Sequence, residues 1–309
     1  MTREVVLEDQ TVVVRGDRIV AVGAASEVEL PRGAVRVDAA GLFLTPALAD
    51  MHVHLEGEAW NALLPPELRY PPEALDQGRF LFPYVANGIA TIAVMSATDD
   101  HLESRRRVEA GEILGPRMVL GRMIDGPDRA WPEPLSRWVA TPEAARAAVH
   151  EFHDAGFDRM KVYSFLSREV YDAILDTAKG VGLPVDGHIP MDLSVEYVLQ
   201  AGQDQIVHSE EIMKHVGGDY GRGRIEEYAD LLAASPTWLT PTLVVALDDR
   251  GKPMMAGSDA PVPTIIPGFS LHEELEELVG VGFSPYEALA DLAGFHASLV
   301  RPGARVEER

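Results

Sequence analysis

Hydrophobic positions along the chain fall into two regimes. Up to about residue 43 they come in short runs punctuated by turn residues: Thr11 to Val14 is largely β-branched, Gly16-Asp17 marks a turn, and the apolar pattern resumes from Ile19 to Val22. Such residues fit a pleated surface joined by tight turns, so this part reads as a small β-rich segment. From Leu44 onward short apolar runs alternate with amphipathic helical stretches, the pattern of βα units around a parallel sheet. Eight strands are predicted, at 43–51, 88–95, 117–121, 158–163, 183–187, 205–207, 238–244 and 253–256. Helix signals lie between most of them. Thr141-Pro142-Glu143 places an N-cap threonine before a proline at the first helical position, Ser167 and Ser284 open two more helices, and Gly156, Gly182 and Gly202 each close one.

Eight such strands predict an α/β chain built as a (β/α)8 TIM barrel, whose chemistry sits at the C-terminal strand ends. The expected division is a small β-sandwich segment over 1–43, the barrel over 44–300 and a C-terminal tail over 301–309. One connection breaks the pattern. Only Ala-Leu-Asp-Asp-Arg-Gly-Lys separates Val245 from Pro253, whereas a crossover with its helix needs about 10–12 residues. Either the barrel lacks the helix between strands seven and eight, or a segment near 246–252 is missing from the sequence.

Composition narrows the function. The 309 residues suit one large domain, alone or with a small one. No apolar stretch approaches the ~20 residues of a membrane span, and the start at Met1-Thr2-Arg3-Glu4 soon turns polar, unlike a secretory leader. The expected location is cytoplasmic. With 27 Lys and Arg against 49 Asp and Glu, the net charge of −22 repels phosphate backbones. The expected partner is therefore a small-molecule substrate, with no nucleic acid and no membrane; a homo-oligomer stays open. Cysteine is absent, which removes disulfides, thiolate metal sites and cysteine nucleophiles.

A metal site would then draw on His, Asp, Glu or an unusual ligand. His52 and His54 end the first predicted barrel strand in Asp50-Met51-His52-Val53-His54. Residues two apart in a strand share a side, so both imidazoles can reach one ion; alone, the pair is equally a core feature. Lys161, in Met160-Lys161-Val162-Tyr163, is costly inside a strand unless paired, neutralised or modified, and is otherwise a surface lysine. His188, His208 and Asp259 close or follow the fifth, sixth and eighth predicted strands. Five potential ligands and a lysine thus fall at the same end of five strands, where random placement would scatter them.

On these residues the chain resembles the metal-dependent amidohydrolase superfamily, and within it the imidazolonepropionase-like and Xaa-Pro-dipeptidase-like branch. The matching stretches are 44–54, 82–98 with 113–126, 141–190, 203–211, 238–244 and 257–289. The resemblance implies that His52, His54, Lys161, His188, His208 and Asp259 hold two divalent cations, most readily zinc with manganese or cobalt as alternatives, and that Lys161 is carboxylated by carbon dioxide and bridges them. It implies His52, His54 and Asp259 on one ion and His188 and His208 on the other. A metal-bridging hydroxide would attack an amide of a dipeptide or N-acyl amino acid, with Asp259 taking the proton. Tyr163, two after Lys161, is a candidate donor to substrate or oxyanion, or a buried tyrosine with one hydrogen bond. Arg122, Ser209 and Glu210 are candidates for the pocket rim. Trp60, Trp131 and Trp138 can wall the pocket or pack the surface.

The same centre serves lactonases and organophosphate esterases. A mononuclear deaminase or cyclic-amide hydrolase would not need Lys161, and a non-catalytic scaffold would be expected to lose ligands that here all survive. Departures from the family are Pro46-Ala47-Leu48 where Pro-Gly-Leu is common, a poor match over 290–300, and an end at Arg309 before the small β-domain resumes.

Overall fold

A computed structural model of the chain describes residues 5–55, 57–127, 131–216, 222–242, 256–261 and 265–294. It divides into two compact units, Met1–Pro46 and Ala47–Arg309. In the first, β1 (Gln10–Arg15) and β2 (Arg18–Ala24) form an antiparallel hairpin around the Gly16-Asp17 turn, with a bulge between Val13 and Val14.

The second unit is built on β3 (Leu48–Val53), β4 (Ile89–Val94), β5 (Arg117–Asp125), β6 (Ser136–Trp138), β7 (Arg159–Val162), β8 (Val185–Gly187), β9 (Gln205–Val207) and β10 (Trp238–Thr240). Seven of these run in the order β3-β4-β5-β7-β8-β9-β10, every pairing parallel, and β6 adds to β5. The described helices around them are α1 (Glu58–Leu63), α2 (Gln77–Ala86), α3 (Asp99–Glu109), α4 (Pro142–Ala155), α5 (Arg168–Val181), α6 (Val195–Ala201), α7 (Glu210–Val216), α8 (Arg222–Ala234), α9 (Ser270–Gly280) and α10 (Pro285–Gly294).

Segment 256–261 takes the eighth place, beside β3. Met51 N donates to Ala256 O (3.0 Å), Val53 and Ala260 form a parallel bridge, and the Ser258 hydroxyl donates to Asp50 Oδ2 (2.6 Å). A Cβ on Gly257 would lie 2.6 Å from His52 Cβ and 2.7 Å from Thr240 Cγ2, so only glycine fits between β3 and β10. The nearly closed barrel is the expected architecture. The structure differs from the expected strands in several bounds: the first runs over 48–53, the third runs on to Asp125, the fifth begins at Val185, the seventh ends at Thr240, and β6 is an addition. Positions 43–47 are exposed, whereas β3 is buried from Ala49 to Val53. The stretch 246–252 and most of the predicted strand 253–256 lie outside the described residues.

The caps follow the sequence. Thr141, Ser167 and Ser284 accept from the backbone N–H three residues on, while Gly156, Gly182 and Gly202 end their helices in the left-handed conformation. Strand alternation sends Leu120, Ile124, Met160 and Val162 outward onto α4 and α5, where Val149, Phe152, Tyr171 and Ile174 bury against them. Inward-facing Ala49, Met51, Ala93, Met95, Val119 and Val207 fill part of the barrel. Fully burying each large apolar side chain is worth roughly 1.5–3 kcal/mol.

The same alternation turns Arg159 inward with Lys161. The Arg159 guanidinium forms a bidentate ion pair with buried Asp186 on the neighbouring strand β8, a floor beneath the lysine. Removing one partner strands a buried charge. Arg159→Met is expected to lower unfolding stability by about 3–5 kcal/mol in urea titrations, and the double change with Asp186→Leu by distinctly less; equal losses would contradict the pairing.

Candidate metal centre

Each candidate ligand is delivered by the C-terminal end of a strand. His52 lies in β3 and His54 just beyond it, Lys161 lies in β7, and His188 and His208 follow β8 and β9 directly. Asp259 comes from the segment beside β3, where its N–H donates to His52 O (2.7 Å) and His54 N donates to Ala260 O (2.6 Å). Gly187, at φ 138°, allows the close approach that brings in His188: a Cβ there would run into the Val162 backbone. Non-glycine residues rarely adopt positive φ, yet His208 (68°), Thr242 (48°) and Asp259 (58°) all do. Left-handed backbone in such residues costs on the order of 1–3 kcal/mol each and collects at functional sites.

The side chains converge. Asp259 Oδ1 lies 3.2 Å from both His52 Nε2 and His54 Nε2, and these three residues offer ligand atoms within 4.8 Å of one another. His208 Nδ1 is 3.9 Å from Asp259 Oδ2. The His208 ring sits 4.5 Å from that of His52 and 5.2 Å from that of His188. Lys161 is 1% exposed, and among the described residues its ammonium joins no ion pair.

Hydrogen bonds settle which nitrogen of two rings faces the centre. His188 Nδ1 lies 3.0 Å from Glu211 Oε1; an ionised carboxylate only accepts, so Nδ1 carries the proton and Nε2 is bare. The Thr242 hydroxyl donates to Pro241 O (2.8 Å), so at 3.0 Å it accepts from His208 Nδ1, again leaving Nε2 bare. His54 Nδ1 pairs with Ser96 Oγ at 2.7 Å and His188 Nδ1 also with Ser164 Oγ at 3.0 Å. Among the described residues, both His52 ring nitrogens, His188 Nε2 and Asp259 Oδ1 are buried and make no well-formed hydrogen bond, the 3.2 Å approach of His52 Nε2 to Asp259 Oδ1 being an ion-pair contact. Orphaned lone pairs around one point are what a cation fills, and an N/O donor set without sulfur suits zinc, manganese or cobalt.

Charge states agree. Burial, aided by the nearby Lys161 charge, pushes His52 down to about 3 and His188 to about 4, and burial holds His208 well below its ordinary value. Burial alone would raise the Asp259 carboxyl, but the His52 and His54 imidazoles outweigh it and hold it far below the carboxylate range. Burial lowers Lys161 to about 8. Neutral imidazoles around an ionised carboxylate are the protonation state that metal binding requires.

The amidohydrolase family model matches residues 43–263, most of the chain. The chain belongs to the amidohydrolase family. A hydrolase acting on C–N bonds follows from that membership. Solved structures share the fold of this amidohydrolase. A Bifidobacterium longum protein provisionally assigned as a prolidase is 24% identical over 94% of this chain and 78% of its own, with a TM-score of 0.71. A prolidase complexed with N-methylphosphonate-L-proline is 20% identical over 95% and 83%, TM-score 0.69. A Xaa-Pro dipeptidase with methionine bound in its active site is 18% identical over 94% and 83%, TM-score 0.66. No curated protein sequence matches.

One residue expected at the pocket rim of this amidohydrolase, Arg122, lies elsewhere. Gly121 and Met123 pair with inward Arg159 and Lys161, so Arg122 between them faces outward. Its guanidinium covers Phe152 at 5.1 Å and donates to Ala97 O (3.2 Å) and Leu135 O (3.1 Å). The Ser209 hydroxyl donates to Pro241 O (3.2 Å), joining the loops after β9 and β10. Tyr163 does reach the centre: its ring lies 4.0 Å from that of His188. His101 is buried and caps α3, accepting from Thr98 N through Nδ1 (2.9 Å).

Sequence reasoning passed over Ser96, Ser164, Thr242 and, above all, Glu211. Glu211 is 1% exposed and also accepts from Ile189 N (3.1 Å), fixing the turn that carries His188. The one local signal was its place three residues after His208, opening α7. Carboxylates behind metal-binding histidines are worth 10–100-fold in affinity. Glu211→Ala is expected to weaken zinc binding in equilibrium dialysis by about that factor, with Glu211→Gln in between; affinity unchanged in both variants would remove it from the centre.

Proposed function

We propose that the chain is a binuclear metal-dependent hydrolase that cleaves a C–N amide of a small molecule of the dipeptide or N-acyl amino acid type. The observation that carries this reading is the meeting at one barrel mouth of His54, three imidazoles that burial keeps neutral (His52, His188 and His208), an ionised carboxylate and a buried lysine that joins no ion pair among the described residues. His52, His54 and Asp259 would hold one divalent cation, His188 and His208 the other, and Lys161 would serve both. When bound, such cations polarise a carbonyl and lower the pKa of water.

The chain's own residues do the rest. Burial lowers Lys161 to about 8, so a share of it is neutral amine near pH 7–8. The neutral nitrogen can add carbon dioxide and lose a proton, leaving an anionic carbamate with two oxygens in place of a buried ammonium. Asp259 presents a carboxylate oxygen at the reacting face; it accepts the proton of the attacking water and passes it to the departing amine nitrogen. Tyr163 accepts from the Trp131 indole N–H (3.2 Å), and burial raises its hydroxyl above the ordinary value, so it stays protonated. Its own O–H is then available to donate to a substrate oxygen.

Protein purified without chelator is expected to contain close to two zinc-class ions per chain by elemental analysis, and chelation to abolish turnover of dipeptide or N-acyl amino acid substrates. Lys161→Ala should lose activity by several orders of magnitude and retain at most one ion. One ion in the unaltered protein, or full turnover in Lys161→Ala, would overturn the binuclear reading.

A further inference from the structure

Five aromatic rings link one side of the candidate centre to the other. The His54 ring lies 5.6 Å from that of Trp60, Trp60 lies 5.1 Å from Trp131, the Trp131 indole N–H donates to Tyr163 Oη at 3.2 Å, and the Tyr163 ring lies 4.0 Å from that of His188. The arc begins and ends on candidate ligands. Its members come from α1, from the segment before β6 and from the end of β7, elements far apart in sequence. The rings are held from behind. Trp60 Nε1 donates to Ser96 Oγ (3.3 Å), the hydroxyl that also meets His54 Nδ1, and Trp138 Nε1 donates to the Trp131 carbonyl (2.8 Å). Trp138 is therefore a brace rather than a wall.

Despite these ties, Trp131 is 39% exposed. A fixed, partly open indole face beside reacting groups offers large apolar contact at little entropic cost. We propose that Trp60 and Trp131 are specificity-determining residues: they form the wall against which an aromatic or bulky apolar side chain flanking the scissile amide packs. This rests on the hydrolase reading above and deepens it by naming the substrate class. Burying such a side chain against preformed rings favours it over a methyl group by about tenfold or more.

The test compares zinc-reconstituted protein acting on Phe-Ala, Ala-Phe and Ala-Ala, and on N-acetyl-Phe and N-acetyl-Ala. Within at least one of these families kcat/KM should favour the aromatic member by tenfold or more, carried mainly by KM. Trp60→Ala and Trp131→Ala should bring the ratio to within about threefold. Trp60→Phe and Trp131→Phe, which keep a ring, should restore it; the latter also separates the wall from the Trp131 bond to Tyr163. Equal kcat/KM across each family, or a preference unmoved by both alanine variants, would overturn the wall. Should no substrate turn over, the hydrolase reading fails, and calorimetric titration with L-phenylalanine and L-alanine still decides the wall. Tighter binding of phenylalanine that is lost in Trp131→Ala supports it; equal binding of the two, or a preference kept in the variant, overturns it.

Discussion

A lysine ammonium that is 1% exposed, joins no ion pair among the described residues and acts electrostatically on His52, His188 and His208 is the constraint around which the barrel mouth is organised. Burying a charge uncompensated costs several kcal/mol even after relaxation, and the neighbours compound the cost, since the Lys161 charge also disfavours protonation of His52, His188 and His208. Shedding its proton relieves Lys161, and in the proposed reading its conversion to an anion that meets cations would remove the conflict. The orphaned lone pairs of His52, His188 and Asp259 describe the same deficit from the other side. Each is an electron-pair donor that meets no well-formed hydrogen bond among the described residues, although Asp259 Oδ1 stands 3.2 Å from His52 Nε2 and His54 Nε2.

Supporting structure is arranged to hold that deficit in place. Three residues accept left-handed backbone at the strand ends, and Gly187 and Gly257 let strands and their continuations approach where any side chain would collide. Behind the rings, Ser96, Ser164, Thr242 and Glu211 fix orientation. None of this is needed for a stable barrel, whose core is supplied by the apolar layer between strands and helices. Strain and polar burial concentrate at the mouth because the geometry there is specified by chemistry rather than by packing.

Much of this was legible in the residues. Local signals carried the helices, since a cap such as Thr141 or Gly156 acts within one turn. The candidate ligands were legible because a parallel barrel turns position in sequence into position in space: a histidine ending a strand arrives at the same face as every other strand end. What escaped was information that spans elements. Arg122 was misplaced because its direction depends on the register of β5 with β7, where Gly121 and Met123 take the inward positions. Glu211 and the three hydroxyls touch histidines 23 to 42 residues away, a separation that local sequence pattern does not specify. The Trp60–Trp131 contact joins the short helix α1 to the segment before β6, far apart in sequence.

The most direct test of the centre itself is anomalous diffraction at the zinc edge from crystals of the zinc-loaded protein. The account predicts two peaks in the barrel mouth, about 3.5–4 Å apart. One should be contacted by His52, His54 and Asp259, the other by His188 and His208, with density for a carboxylated Lys161 between them. A lone peak, or zinc bound away from Lys161 with that side chain still an isolated amine, would contradict it.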